Sequence, residues 1–165
     1  MNRDTYQKLM MGLGLVVTSF NTLEFYMQGV LSMLLTRHQT VGHMTSSLLS
    51  FGKSIQLFEA ICLMKIKTPE LLKEMDVLCR KMGKAEQERN KIVHSHYLAS
   101  IDPEKFTRHK TNLSGNLPIH DMKPEELFAL AKSFTQLYEE FFTFFSKLME
   151  AALKKSPLLH EATDI

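Results

Sequence analysis

The sequence predicts an all-α fold, an antiparallel up-and-down bundle of four to five helices. Apolar residues recur every three to four positions over long stretches, as on one face of a helix. That period disappears in one region, 97–123, where turn-forming residues accumulate. The 165 residues fit one domain, and 44% hydrophobic residues are enough for a core. We therefore expect a single domain over 1–165, with 154–165 as a flexible tail and an irregular, hairpin-like insert between the last two long helices.

The first helix is expected from Asp4 to Thr36, with Asn2 or Asp4 as its cap. Glu24 occupies a position in its apolar stripe, where an unpaired carboxylate costs stability. Two interpretations stay open: Glu24 reaches water at the helix edge, or it pairs with an arginine farther along the chain. The other members of the stripe are Leu13, Val17, Phe20, Met27, Leu31 and Leu34.

Two more helices are expected before the insert. The segment RHQTVGHMTSS is rich in turn residues, so the second helix is placed from about Ser46 to Lys65. The letters KTPE predict a new start, because Thr68 can cap a helix and Pro69 suits its first position. This third helix carries the segment RNKIVHSHY, residues 89–97, near its C-terminal end.

Turn formers in IDPEKF, NLSGNLP and DMKP predict a short hairpin-like insert over one end of the bundle. A fourth long helix is expected from about Pro124, with apolar residues at near-heptad spacing. Phe142 and Phe145 widen its apolar stripe beyond what one intramolecular groove needs. They indicate a partner helix, for which a second copy of the chain is one candidate.

Charge and cysteine content narrow the class of protein. The net charge of +2 neither drives nor excludes nucleic-acid binding, but residues 80–110 hold eight Lys or Arg against four acids. That bias fits either a solvated surface or a phosphate-binding patch. Cys62 and Cys79 lie in apolar contexts and are expected to be free thiols. Without a signal-peptide pattern or an apolar run near the ~20 residues of a membrane span, we expect a cytoplasmic protein with no membrane contact.

The segment 89–97 places several functional side chain types close together. At about 100° per helical residue, Arg89 and His96 point almost the same way, and so do Asn90 and His94. Arg89 and His94 are about 140° apart and converge only if the helix ends or distorts, or if a neighbouring helix closes the cleft. Geometry therefore favours His96 as the partner of Arg89, unless the helix frays before His94.

These side chains suit metal-free cleavage of RNA. A histidine can take the proton from a ribose 2′-hydroxyl or give one to the leaving oxygen. Arg89 can hold the phosphate, Asn90 can orient the histidine or bond the phosphate, and Tyr97 can stack on a base. A metal site is not expected, because His94 and His96 would lie about 200° apart on a helix, without supporting Cys or carboxylate residues.

The segment RNKIVHSHY near the end of the third helix of a small all-α bundle resembles the HEPN superfamily (higher eukaryotes and prokaryotes nucleotide-binding domains). Its signature is an arginine, a polar residue that is often Asn, and a histidine after four to six intervening residues. By that resemblance Arg89 is the motif arginine, Asn90 the polar follower and His94 the histidine. His96 fits the longer spacing. A toxin subgroup has a tyrosine two residues after the histidine, whereas here Tyr97 comes one residue later than that.

The resemblance implies a homodimeric, metal-independent endoribonuclease of a toxin or defence type, whose two motifs face each other across a two-fold axis. It implies no cofactor, and an antitoxin or other protein as a further partner. The candidate catalytic residues are Arg89, Asn90, His94 and His96, and the candidate substrate contacts are Lys91, Tyr97, Arg108 and Glu24.

Two alternatives stay open. One is a non-catalytic module of the same fold that binds RNA, a nucleotide or a protein partner. The other is a structural role, in which Arg89 pairs with Glu86, Glu24 or a helix end while both histidines are surface or capping residues.

Overall fold

The computed structural model describes residues 2–36, 38–109 and 119–153, and within them the chain forms a helical bundle with a small sheet. The all-α bundle expected from the sequence is confirmed. The predicted tail 154–165 lies outside the described residues, as do 110–118 of the insert. The helices are α1 (Arg3–Leu35), α2 (Gln39–Ser47), α3 (Phe51–Lys65), α4 (Pro69–Val93) and α5 (Pro124–Leu153), and the strands are β1 (His96–Ala99), β2 (Phe106–His109) and β3 (Ile119–Met122).

The helices alternate in direction, so the two longest run side by side in parallel. Phe20 of α1 meets Phe134 of α5 with ring centroids 5.5 Å apart. Two turns later Tyr26 meets Phe141 at 5.9 Å. The helices α1 and α5 thus point the same way, and α4 runs in the opposite direction. One face of the α1 and α5 pair is left at the surface.

The expected second helix is wrong at its start, because the segment assigned to a turn is itself helical. The helix α2 covers Gln39–Ser47, and α3 begins only at Phe51. The helix α2 folds back against α1 so closely that a Cβ on Gly42 would lie 2.7 Å from the Ser32 carbonyl oxygen. Glycine permits this approach, and the packing outweighs the turn-like composition.

The core is centred on an aromatic cluster that joins three helices. Phe20 lies edge to face with Phe51 of α3 at 4.9 Å and with Phe134 of α5 at 5.5 Å. Of the two aromatics expected to face a partner, Phe145 is buried in the core whereas Phe142 is exposed. Only Phe142 is therefore placed to meet another chain.

The insert forms a three-stranded antiparallel sheet in the order β1-β2-β3, one strand more than a hairpin. Tyr97, Arg108 and His120 form one cross-strand row. Phe106 shares their face, because side chains alternate along a strand. Phe106 is fully buried, so this inner face packs on the bundle. The turn between β1 and β2 is tied to α1 by a hydrogen bond from Thr5 Oγ1 to the Pro103 carbonyl, at 2.9 Å.

By length and composition, α1 is the one helix among the described residues that passes for a membrane span. The sequence pattern did not indicate this property, because glycines and polar residues interrupt the apolar runs of α1. The inner face of α1 carries Val16, Phe20, Leu23 and Met27, all of them core residues.

Candidate functional site

The helix α4 ends at Val93, inside the segment that resembles the family motif, and His94 is its C-cap. Three of the last four carbonyls of the helix accept hydrogen bonds. The Asn90 carbonyl accepts from the His94 amide at 3.2 Å. The Lys91 carbonyl accepts from the Ser95 hydroxyl, and the Ile92 carbonyl accepts from the Tyr97 hydroxyl at 2.6 Å. A satisfied end of this kind stops the helix where the strand begins.

This ending separates the two histidines. His96 lies in β1 as the cross-strand partner of His109, on the outer sheet face opposite Tyr97. The expectation that Arg89 and His96 share one helix face is wrong, because the helix stops before His96. His94 keeps its position one turn after Asn90, since its amide still donates to the Asn90 carbonyl. Of the two histidines, His94 is therefore the one that stays attached to the end of α4.

Arg89 occupies a core-facing position of α4. The buried residues Leu78, Met82, Ala85 and Ile92 would form an uninterrupted stripe with it at alternating steps of four and three. Its Cζ lies 5.3 Å from the centroid of the Phe20 ring, a cation–π contact. Its Nη1 donates to Asn90 Oδ1 at 3.0 Å. Its Nε is buried and has no hydrogen-bond partner.

In the part of the chain that the structure describes, no acidic side chain balances this guanidinium. Within residues 2–36, 38–109 and 119–153, no carboxylate forms an ion pair with Arg89. Glu86 instead accepts a hydrogen bond from the Gly52 amide at 3.2 Å, at the start of α3. Glu24 is partly buried and likewise forms no ion pair with any described residue. The pairing of Arg89 with Glu24 or Glu86, one of the interpretations left open by the sequence, is therefore not formed.

A second arginine lies on the inner sheet face. Arg108 is the cross-strand partner of Tyr97, and its Nε is also buried without a hydrogen-bond partner. The Tyr97 ring meets Phe106 at 5.5 Å. Burial raises the pKa of the Tyr97 phenol to about 12, and the positive charge of Arg108 opposes that rise. Tyr97 is thus a neutral hydrogen-bond donor near pH 7, and it connects the strand of Arg108 to the end of α4.

The basic segment is largely neutralised in the folded protein. Four of its cations form ion pairs: Arg80 with Asp76, Lys81 with Glu140, Lys91 with Glu88 and Lys105 with Asp102. Among its described cations, Lys84, Arg89 and Arg108 have no acidic partner. Both arginines with an unpartnered Nε belong to this set, which makes them the better candidates for an anion.

The remaining candidates are two histidines and two cysteines. His94 and His96 are exposed, and neither imidazole is hydrogen-bonded to a described residue. Burial raises the pKa of the Cys62 and Cys79 thiols to about 12, so both are inert near neutral pH. In the described part of the chain, no group of three or more His, Cys, Asp or Glu side chains is placed to hold a metal ion.

Two residues of the site were not identified from the sequence as parts of it. Phe20, assigned only to the core stripe, supports the Arg89 guanidinium, and Ser95 helps to end α4. The sequence did contain a signal for Phe20. Arg89 interrupts a regular apolar stripe, and a charged group at such a position is stabilised by a nearby aromatic ring. Comparison of the chain with protein-family models, with curated proteins and with solved structures found no match.

Proposed function

We propose that this protein is a metal-independent endoribonuclease of HEPN type, in which Arg89 binds the scissile phosphate and His94 transfers protons. One observation carries the proposal. Arg89 lies in a core-facing position without an acidic partner among the described residues, and its side chain is joined to that of Asn90, one turn before His94. The side chains of an arginine and a polar residue thus meet near the end of α4, and a histidine follows one turn later in the chain.

The cost of placing Arg89 there supports an anionic ligand. A partly buried guanidinium without a counter-charge is unfavourable, and so is a buried N–H group without an acceptor. Phosphate oxygens supply both the negative charge and acceptors that match the planar fork of arginine. Phe20 holds one face of the group, and Asn90 accepts from Nη1. The remaining donors are thereby pre-oriented for a ligand.

The chemistry assigned to His94 follows from its place. It is exposed at the C-cap of α4, where a ribose hydroxyl can reach it from solvent. An imidazole there takes the 2′-hydroxyl proton or returns one to the leaving oxygen, while Arg89 stabilises the charge on the phosphate. Arg108 would bind a neighbouring phosphate. Lys91, whose ammonium pairs with Glu88 at 2.7 Å, adds a weaker contact. A cytoplasmic toxin or defence protein with an antitoxin partner fits this activity.

The test is cleavage of RNA by the full chain in the presence of a chelator, with analysis of the product ends. We expect 2′,3′-cyclic phosphate ends from the wild-type protein and no cleavage by Arg89→Ala or His94→Ala. His96→Ala is the matched control, because His96 lies on the outer sheet face, and it should cleave at the wild-type rate. Cleavage that survives both substitutions, or that requires added metal, would overturn the proposal.

A second function is favoured by one observation, that no described side chain holds the His94 imidazole. A non-catalytic module would use Arg89 and Arg108 to bind RNA without turnover. Its affinity would fall steeply with rising salt, because each neutralised phosphate releases counterions. Under this alternative His94→Ala binds RNA as tightly as the wild type, Arg89→Ala does not, and no cyclic phosphate appears.

A further inference from the structure

The outer face of α1 is exposed, apolar and almost without charge. Between Leu9 and Thr36 the one charged residue is Glu24, and there is no lysine or arginine. Along the surface of the helix, Met11 is 59% exposed, Leu15 41%, Phe25 68% and Met33 59%. Isolated apolar residues at a surface are ordinary, but a row of them along one helix marks an interaction site.

These residues share one direction, opposite to the core. At about 100° per residue, positions 11, 15, 18, 22, 25, 29 and 33 all lie within about 40° of the direction opposite to Phe20. The two hydroxyls in the row are already used inside the helix. Thr18 donates to the Gly14 carbonyl at 2.9 Å, and Thr22 donates to the Thr18 carbonyl at 3.0 Å. No charge and no free hydroxyl proton interrupts this row.

The neighbouring helix α5 continues the surface and supplies a hollow. Phe142 is 49% exposed and contacts Tyr26, with ring centroids 5.6 Å apart. Beside these aromatic rings lies a cavity of about 240 Å³ at the seam between the two helices. It is lined by Thr18, Ser19, Thr22, Thr135 and Tyr138. The exposed Phe142 ring and the cavity therefore lie on one face of the α1 and α5 pair.

We propose that a second copy of this chain docks on this face, related by a two-fold axis, with Phe25 of each copy inserted into the cavity of the other. In a two-fold dimer the same surface meets itself, so every knob must find its hole on that same surface. The face supplies both: Phe25 lies about 8 Å along the helix from the α1 residues at the cavity, Thr18, Ser19 and Thr22. An axis passing near Thr22 exchanges the two.

The size of the face fits a specific dimer. From Met11 to Met33 the row is about 33 Å long. Two helices whose axes are 8–10 Å apart present a strip about 20 Å wide. The resulting footprint, on the order of 650 Å², approaches the ~800 Å² per partner of a standard interface.

A lipid surface is the weaker occupant, although α1 is apolar enough to pass for a membrane span. Its inner face is the core of a bundle whose other helices carry ion pairs on their surfaces, such as Lys81 with Glu140. The helix therefore stays in the bundle. Helices that lie on membranes use Lys or Arg beside their apolar face, and α1 has none from 9 to 36.

The proposed dimer keeps the two Arg89 sites apart. Arg89 lies over Phe20, on the side of α1 opposite to the docking face. Each copy then carries its own site, in contrast to the facing motifs that the family resemblance implies. The inference does not depend on the nuclease proposal, because its test is the state of association.

The experiment is sedimentation equilibrium of the full chain at tens of micromolar, with circular dichroism to confirm folding. We expect a dimer for the wild type and a monomer for Phe25→Glu, with an unchanged helical signal because Phe25 is exposed. Met64→Glu is the matched control, since Met64 is 69% exposed on α3, and it should remain dimeric. A monomeric wild type, or a dimeric Phe25→Glu, would overturn the proposal.

Oxidative cross-linking locates the axis. Thr22→Cys should form a disulfide-linked dimer, whereas Thr45→Cys, exposed on α2, should stay monomeric on a non-reducing gel; the native cysteines are buried. Equal cross-linking of the two variants counts against the stated axis. Association of the wild type with phosphatidylserine and phosphatidylcholine vesicles in place of dimerisation would assign the face to lipid and sink the inference.

Discussion

Arg89 combines two properties that rarely coincide in one residue. It fills a position where the helix pattern calls for an apolar side chain, and it keeps a charge that no described carboxylate neutralises. Phe20 lessens the cost by offering its ring face. A group that lowers stability at such a position is retained when a ligand needs it.

The substitution Arg89→Met separates function from stability. Methionine is similar in length, favours helix and removes the uncompensated charge, so the free energy of unfolding should stay the same or rise by about 1 kcal/mol. RNA binding should be lost. Urea unfolding and filter binding measure the two quantities. As a control, Phe20→Ala should lower stability by about 3 kcal/mol. A loss of more than about 2 kcal/mol in Arg89→Met would instead assign Arg89 a structural role.

At the residue scale the sequence indicated Arg89, Asn90 and His94 from their spacing, but it ranked His96 first by helical geometry. That ranking assumed a helix through residue 96. The assumption failed because Ser95 and Tyr97 satisfy the last carbonyls of α4 and stop the helix. Helical geometry cannot predict the direction of a side chain that lies two or more residues beyond the end of the helix.

At the scale of elements, the start of α3 is held by a side chain from another helix. Ser50, the N-cap of α3, makes no side-chain capping bond, and Glu86 of α4 supplies an acceptor for the Gly52 amide instead. A carboxylate at a helix N-terminus also interacts favourably with the helix dipole. Because Glu86 lies one turn before Arg89, this contact fixes the level at which α4 packs against α3.

Removing this cap should weaken the bundle. We expect Glu86→Ala to lower the free energy of unfolding by about 1 kcal/mol, because a helix amide loses its acceptor. Glu86→Gln keeps an oxygen in place and should recover most of the loss. Glu88→Ala, which removes an exposed ion pair with Lys91, should cost at most about 0.5 kcal/mol. Equal stability of Glu86→Ala and the wild type would show that water replaces the carboxylate.

At the scale of the whole molecule, buried acids with raised pKa values govern the response to alkali. Burial raises the pKa of Cys62 and Cys79 from 9.0 to about 12, and that of Tyr97 from 10.0 to about 12. The unfolded chain therefore releases these protons first as the pH rises. It binds fewer protons than the folded chain between pH 9 and 12, so stability must fall across that window.

The corresponding measurement is the urea midpoint as a function of pH. We expect it to fall from about pH 9 upward, in the direction set by proton linkage. Cys79→Ala removes one of the three groups, so its midpoint should fall less steeply with pH than that of the wild type, whatever its absolute stability. A wild-type midpoint that stays level from pH 8 to 11 would contradict the assignment.

The sequence by itself determined the helical class, the positions of α1, α4 and α5 and the motif at Arg89, because hydrophobic period, caps and residue spacing are local properties. Tertiary structure alone decided that α2 is a helix, since Gly42 permits a contact with Ser32 that no local pattern encodes. It also decided which apolar face of α1 stays outside. Both outcomes depend on contacts between distant residues, whose energies outweigh the weak local preferences of short segments. The separation of His94 from His96 has a more local cause, because Ser95 and Tyr97 end α4 by bonding carbonyls four and five residues before them.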